Sequence, residues 1–85
     1  MTQRFDIVVA EDPQAMLRVV GLFAQRSLVP ERLTMERLTM DERGARLHMS
    51  LEVAALDARG ADILVERLRE GVMVVDATRH EVTPA

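Results

Sequence analysis

The apolar residues of this 85-residue chain switch between a spacing of two and a helical spacing, and the order of the switches leaves few folds open. From Arg4 to Ala10, Phe5, Ile7 and Val9 share one face, while Asp6, Val8 and Ala10 share the other. A period of two predicts a strand with one buried face. Glu11-Asp12-Pro13 then stops it. Asp12 is a suitable helix N-cap, and Pro13 suits the first helical position, where its missing N–H costs nothing. Met16, Val19, Val20 and Phe23 follow the helical template, widened by Leu17 and Ala24, and predict a helix from Pro13 to about Gln25. Pro30 disfavours helical geometry at Val29 and is expected to end that helix.

Glu31 to Met40 reads as a second strand with an internal repeat, Arg32-Leu33-Thr34-Met35 and Arg37-Leu38-Thr39-Met40. The repeat is offset by an odd number of residues. In a straight strand Leu33 and Met35 therefore point one way, and Leu38 and Met40 the other. Either a bulge near Glu36–Arg37 resets the parity, or two apolar side chains face outward. Asp41-Glu42-Arg43-Gly44 is a turn, and Ala45 to Val53 alternates again, with Leu47, Met49, Leu51 and Val53 inward. Asp57 caps a second helix carrying Ala61, Leu64, Val65 and Leu68 on one stripe, and Gly71 stops it. Val72 to His80 is a last strand, and residues 82–85 are expected to fray. The order β-α-β-β-α-β predicts an α+β, ferredoxin-like fold: one four-stranded antiparallel sheet with both helices on one face. The length predicts a single domain over residues 1–85.

Composition removes several functions. There is no cysteine, so disulfides, thiol catalysis and a Cys-x-x-Cys metal carrier are excluded. All eleven basic residues are arginine, so a Schiff base or a phosphate loop built on lysine is unavailable. The net charge is −3 with both signs interspersed, and Phe5 and Phe23 are the only aromatic residues. A nucleic-acid partner would need a basic stripe or a stacking platform. No apolar run reaches membrane-spanning length, and Met1-Thr2-Gln3-Arg4 shows no secretory leader, so a cytoplasmic protein without a membrane partner is expected.

No cluster predicts catalysis. His48 lies mid-strand beside Ser50 and Glu52 on the outer face, and a solvated or interface role outweighs a catalytic one. His80-Glu81 lacks the second histidine of a zinc helix, since Pro84 stands in its place. Met16, Met35, Met49 and Met73 sit on core parity and read as filling. Glu11-Asp12 has no third ligand nearby, so no metal and no other cofactor is expected. The β1–α1 junction stands out, because a helix N-terminus offers free N–H groups to a small carboxylate.

At that junction the chain resembles a known family. Asp12-Pro13, Met16-Leu17, Gly21-Leu22-Phe23-Ala24-Gln25-Arg26 and Glu31-Arg32-Leu33-Thr34-Met35 are similar to the ACT domain of acetolactate (acetohydroxyacid) synthase small subunits. The likeness is densest over residues 5–35. It implies a non-catalytic homodimer that regulates a thiamine-diphosphate-dependent catalytic subunit of branched-chain amino-acid biosynthesis. It also implies an amino-acid effector held over Glu11, Asp12, Gln14, Ala15, Met16 and Leu17.

Two positions depart from the family pattern. Glu11 stands for an asparagine and Gln14 for a glycine. A carboxylate at position 11 would repel an effector carboxylate, and a side chain at 14 would fill its space. The alternative is a stand-alone ACT-like dimer sensing another small ligand, with Glu11 selecting a cationic or neutral one. For the dimer, the interleaved topology puts the second strand at a sheet edge, with Leu33, Met35, Leu38 and Met40 as its apolar contacts. Pro30, Glu31, Arg32, Glu36 and Arg37 are the counter-signal, since charge and proline blunt free edges.

Overall fold

Alternation along the first strand is the organising feature. In the computed structural model, which describes residues 2–41 and 44–82 and the side chains of all these but 39–41, β1 spans Thr2–Ala10 and buries Phe5, Ile7 and Val9 together with Gln3. The remaining elements are α1 (Pro13–Gln25), β2 (Arg32–Asp41), β3 (Gly44–Val53), α2 (Ala58–Arg69) and β4 (Val74–Val82). The strands form one antiparallel sheet in the order β2-β3-β1-β4. The expected βαββαβ architecture is therefore present, with β2 and β4 at the edges.

One face of the sheet carries the core. Phe5, Ile7 and Val9 of β1, Met49, Leu51 and Val53 of β3, and Ala77 of β4 pack against Ala15, Val19 and Phe23 of α1 and Ala61, Leu64, Val65 and Leu68 of α2. Phe5 meets Phe23 edge to face, with ring centroids 5.2 Å apart and planes at 81°. That arrangement sets the positive ring edge against the negative ring face.

Helix α1 is rotated from its expected stripe. Ala15 and Leu22 take the place of Leu17, Val20 and Ala24, which are exposed. Its C-terminus falls at Gln25 as expected, but Pro30 is not what stops it. The N–H of Leu28 donates to the carbonyl of Phe23 at 2.9 Å, and that of Ser27 to Ala24 at 3.0 Å. With Ser27 at φ +58° this is a Schellman motif, and it ends the helix at Gln25 before Pro30 is reached. Strand β4 starts at Val74 instead of Val72, because Gly71, Val72 and Met73 complete the turn out of α2.

The repeat in β2 resolves by its pairing. The register with β3 is unbroken from Arg32↔Glu52 to Leu38↔Arg46, so no bulge lies at Glu36–Arg37. The irregularity comes later, between Leu38 and Asp41. Leu33 and Met35 therefore lie on the helix side of the sheet, and Leu38 on the open side. Met40 belongs to the strand, but its side chain lies outside the described residues, as do Glu42 and Arg43 of the predicted turn. Gly44, at φ +101°, supplies the left-handed geometry that the turn into β3 requires.

A groove between the first junction and the second strand

The junction between β1 and α1 is pinned by its own backbone. Ala10 donates to the carbonyl of Met73 at 3.0 Å, Glu11 to Ala45 at 3.2 Å and Asp12 to Ala10 at 2.8 Å. These bonds tie the turn to the starts of β3 and β4. Asp12 then caps α1, its Oδ1 accepting from the N–H of Gln14 at 2.8 Å. Its carbonyl accepts from Ala15 at 3.0 Å and from Met16 at 3.3 Å. Pro13 has no N–H. The first turn of α1 thus keeps no free donor for an anion, contrary to the expectation for a helix N-terminus.

Beside this capped turn lies an open groove of about 450 Å³, lined by Glu11, Asp12, Pro13, Met16, Met35, Arg37 and Leu47. Its floor is apolar: two thioethers and a leucine. Arg37 of β2 forms an ion pair with Glu11 at the mouth. A guanidinium thus stands beside the Glu11 charge that was expected to repel a ligand carboxylate.

The six residues expected to hold an effector separate in three dimensions. Glu11, Asp12 and Met16 line the groove. Gln14 is exposed at the start of the helix. Ala15 is buried in the core, about 100° round the helix from Met16. Leu17, 59% exposed, lines a different groove between α1 and α2 with Arg18, Gly21, Leu22 and Arg67. Sequence reading missed Arg37 and Leu47 as groove residues. Their signal was the hairpin register, which sets Arg37 opposite Leu47 on the helix side.

A second polar cluster lies on the open face of the sheet. Asp6 accepts from Arg4 Nε at 3.2 Å, and its other oxygen lies 3.0 Å from His48 Nε2. His80 Nε2 approaches the same carboxylate at 3.4 Å. Both histidines of the chain thus converge on one aspartate. Only the registers of β1 with β3 and β4 bring them together. Among the described residues, no group of three such side chains has the geometry to hold a metal ion.

A third network joins α2 to the sheet. Arg79 Nε donates to Asp62 Oδ1 at 2.6 Å, and Arg79 Nη1 to Gln3 Oε1 at 3.2 Å. Buried Gln3 completes the chain by donating to the carbonyl of Leu56 at 3.3 Å. The hydrogen bond from Arg79 holds the Asp62 carboxyl below its usual range. Lost hydration partly offsets that effect, and the Arg79 charge adds to it.

The fold and groove define a class: a ferredoxin-like module with an open groove between its first strand–helix junction and an edge strand. The chain belongs to the family of ACT-like domains, whose model matches residues 1–85. Its fold is that of the ACT domain from the GTP pyrophosphokinase of Chlorobium tepidum, with a TM-score of 0.75 at 12% identity over 94% of this chain and 97% of that one. It is also similar to the regulatory subunit of aspartate kinase from Thermus thermophilus, in its ligand-free form, with a TM-score of 0.67 at 12% identity over 93% of this chain and 50% of that one. A formyltetrahydrofolate deformylase from Burkholderia mallei matches with a TM-score of 0.65 at 15% identity over 95% of this chain and 28% of that one. No curated protein sequence matches this chain. ACT domains are typically regulatory modules. No helix among the described residues is long and apolar enough to cross a membrane.

Proposed function

We propose that this chain is a non-catalytic regulatory subunit of an acetolactate synthase-like enzyme of branched-chain amino-acid biosynthesis. It acts by association with the thiamine-diphosphate-dependent catalytic subunit. The observation that carries the reading is Gly21, which leads the segment Gly21-Leu22-Phe23-Ala24-Gln25-Arg26, similar to the Gly-Leu-Phe-Ala-Arg-Arg of the small subunits of such synthases. Phe23 of that segment is needed by the core. Gly21 is not: a Cβ there would meet nothing within 4 Å. A glycine inside a helix costs roughly 0.5–1 kcal/mol against alanine, so its presence on an open groove beside exposed Leu17 fits close approach by another chain. Mixing the chain with the purified catalytic subunit tests the reading. Co-elution and a change in acetolactate formation are expected; separate elution with unchanged activity would overturn it.

The groove at Glu11 supports a second reading, a stand-alone ACT-like dimer that senses a small ligand. In both readings the chain pairs with a second copy through β2. Leu33 and Met35, exposed on its helix side along a ladder regular from Arg32 to Leu38, favour that edge. On β4 the helix-side Ala77 is instead buried.

A further inference from the structure

We propose that the outward face of α1 is a docking face for a helix of the catalytic subunit, and that the docking helix carries an apolar stripe bordered by carboxylates. This rests on the proposed association with that subunit and names the surface and the chemistry that serve it.

Helix α1 is apolar on two sides. Ala15, Val19 and Phe23 form its buried side. Leu17, Val20, Gly21 and Ala24 recur at the spacing i, i+3, i+4, i+7 and form a second stripe facing away from the core. Leu17, Val20 and Ala24 are residues whose periodicity predicts burial, and the fold leaves them uncovered, Leu17 at 59% exposure and Val20 at 37%. Arg18 is the one charged residue among the thirteen of α1. Helix α2 is the contrast: Arg59, Asp62, Glu66, Arg67 and Arg69 charge its outer side. A helix whose apolar residues extend round most of its circumference is one covered from both sides. The sheet and α2 cover only one side of α1.

The shape and charge of this face select the occupant. Gly21 and Ala24 lower the surface beside Leu17 and Val20. A Cβ at Gly21 would meet nothing within 4 Å, so the backbone of a second helix can come close. The groove alongside, about 480 Å³ between α1 and α2, continues the apolar surface through Leu22. Arg18 and Arg67 border it against a single carboxylate, Glu70. Glu70 lies 3.6 Å from Arg67, which leaves the Arg18 guanidinium without a carboxylate among the described residues. A partner helix with carboxylates beside its apolar stripe supplies the missing charge, and a basic one is repelled. A second copy of this face would bring the same excess of arginine, so it is the poorer occupant.

Calorimetric titration of the full chain into the purified catalytic subunit tests the face. Leu17→Glu and Ala24→Glu place a charge in the apolar contact and should each weaken binding by about tenfold or more. Val75→Glu, a charge at a comparably exposed apolar residue of β4, should leave binding unchanged. Arg18→Glu should weaken binding by a similar factor to Leu17→Glu, and Arg18→Lys should nearly preserve it. All four positions are exposed, and unchanged thermal midpoints would show that the variants fold. Leu17→Glu and Ala24→Glu chains that bind as tightly as the unmodified one overturn the docking face and leave the association standing. An Arg18→Glu chain that binds as tightly as the unmodified one overturns the acidic border. Sedimentation of the Leu17→Glu chain alone should give the mass of the unmodified chain; a lower mass would show that a second copy covers the face and would overturn the proposed occupant. Failure of the unmodified chain to bind the catalytic subunit overturns the association and the docking face together.

Discussion

Leu33 of β2 and Leu51 of β3 are register partners on the same face of one sheet, yet Leu51 is 0% exposed and Leu33 46% exposed. The helices cover β3 and stop short of β2. An edge strand that keeps apolar side chains uncovered, next to a free row of backbone donors and acceptors, is expected to pair with another strand. We predict that the chain sediments at twice its monomer mass at micromolar concentration. Leu33→Glu or Met35→Glu should return it to a monomer. Leu38→Glu should do so less effectively, since Leu38 lies on the opposite face. A monomer for the unmodified chain would remove the prediction.

The Gln3–Arg79–Asp62 chain gives a stability and a pH prediction. Gln3→Ala removes a buried side chain whose two ends are both bonded, and should cost about 2 kcal/mol in urea unfolding with an unchanged slope. Asp62 titrates lower in the folded chain than in the unfolded one. The unfolded chain therefore binds the proton more readily. The stability due to this pair is fully present above about pH 4 and is lost as the pH falls through the folded value. Unfolding midpoints measured between about pH 5 and pH 2 should show a flatter acid limb for Asp62→Asn. An unaltered limb would refute the assignment.

Ser27 holds a left-handed conformation that costs an L-residue about 1–2 kcal/mol. Ser27→Gly should raise stability by roughly 0.5–1 kcal/mol, read as a higher thermal midpoint. Gly21→Ala should do the same by a different route, since the space around it is open and the helix gains propensity. If Gly21 serves an outside chain, the stabilised variant should associate more weakly with the catalytic subunit. A destabilised Gly21→Ala would contradict the geometry.

Asp12 caps α1 through Oδ1. Asp12→Ala should cost about 1 kcal/mol and Asp12→Ser much less, because a serine hydroxyl can still accept from Gln14. Equal losses in the two variants, measured by denaturant unfolding, would argue that the carboxylate has another task.

How much of this was legible in the sequence follows from the range of the interactions. Period-two alternation placed β1 and β3 and their buried faces, since side-chain direction in a strand is local geometry. Asp12 and Asp57 marked the helix starts for the same reason: a cap bonds within three residues of itself. The end of α1 near Gln25 was legible from the periodicity, but the motif that stops it was not, because Ser27 takes a conformation that its side chain does not advertise. Tertiary structure decided the rest. Parity alone left two options for the repeat in β2, and only hydrogen bonds to β3 chose between them. The approach of Arg37 to Glu11 depends on the hairpin register and on where the junction is pinned. The meeting of His48 and His80 at Asp6 depends on two separate strand pairings. Local periodicity determines which residues each element buries; which charges meet depends on how the elements align.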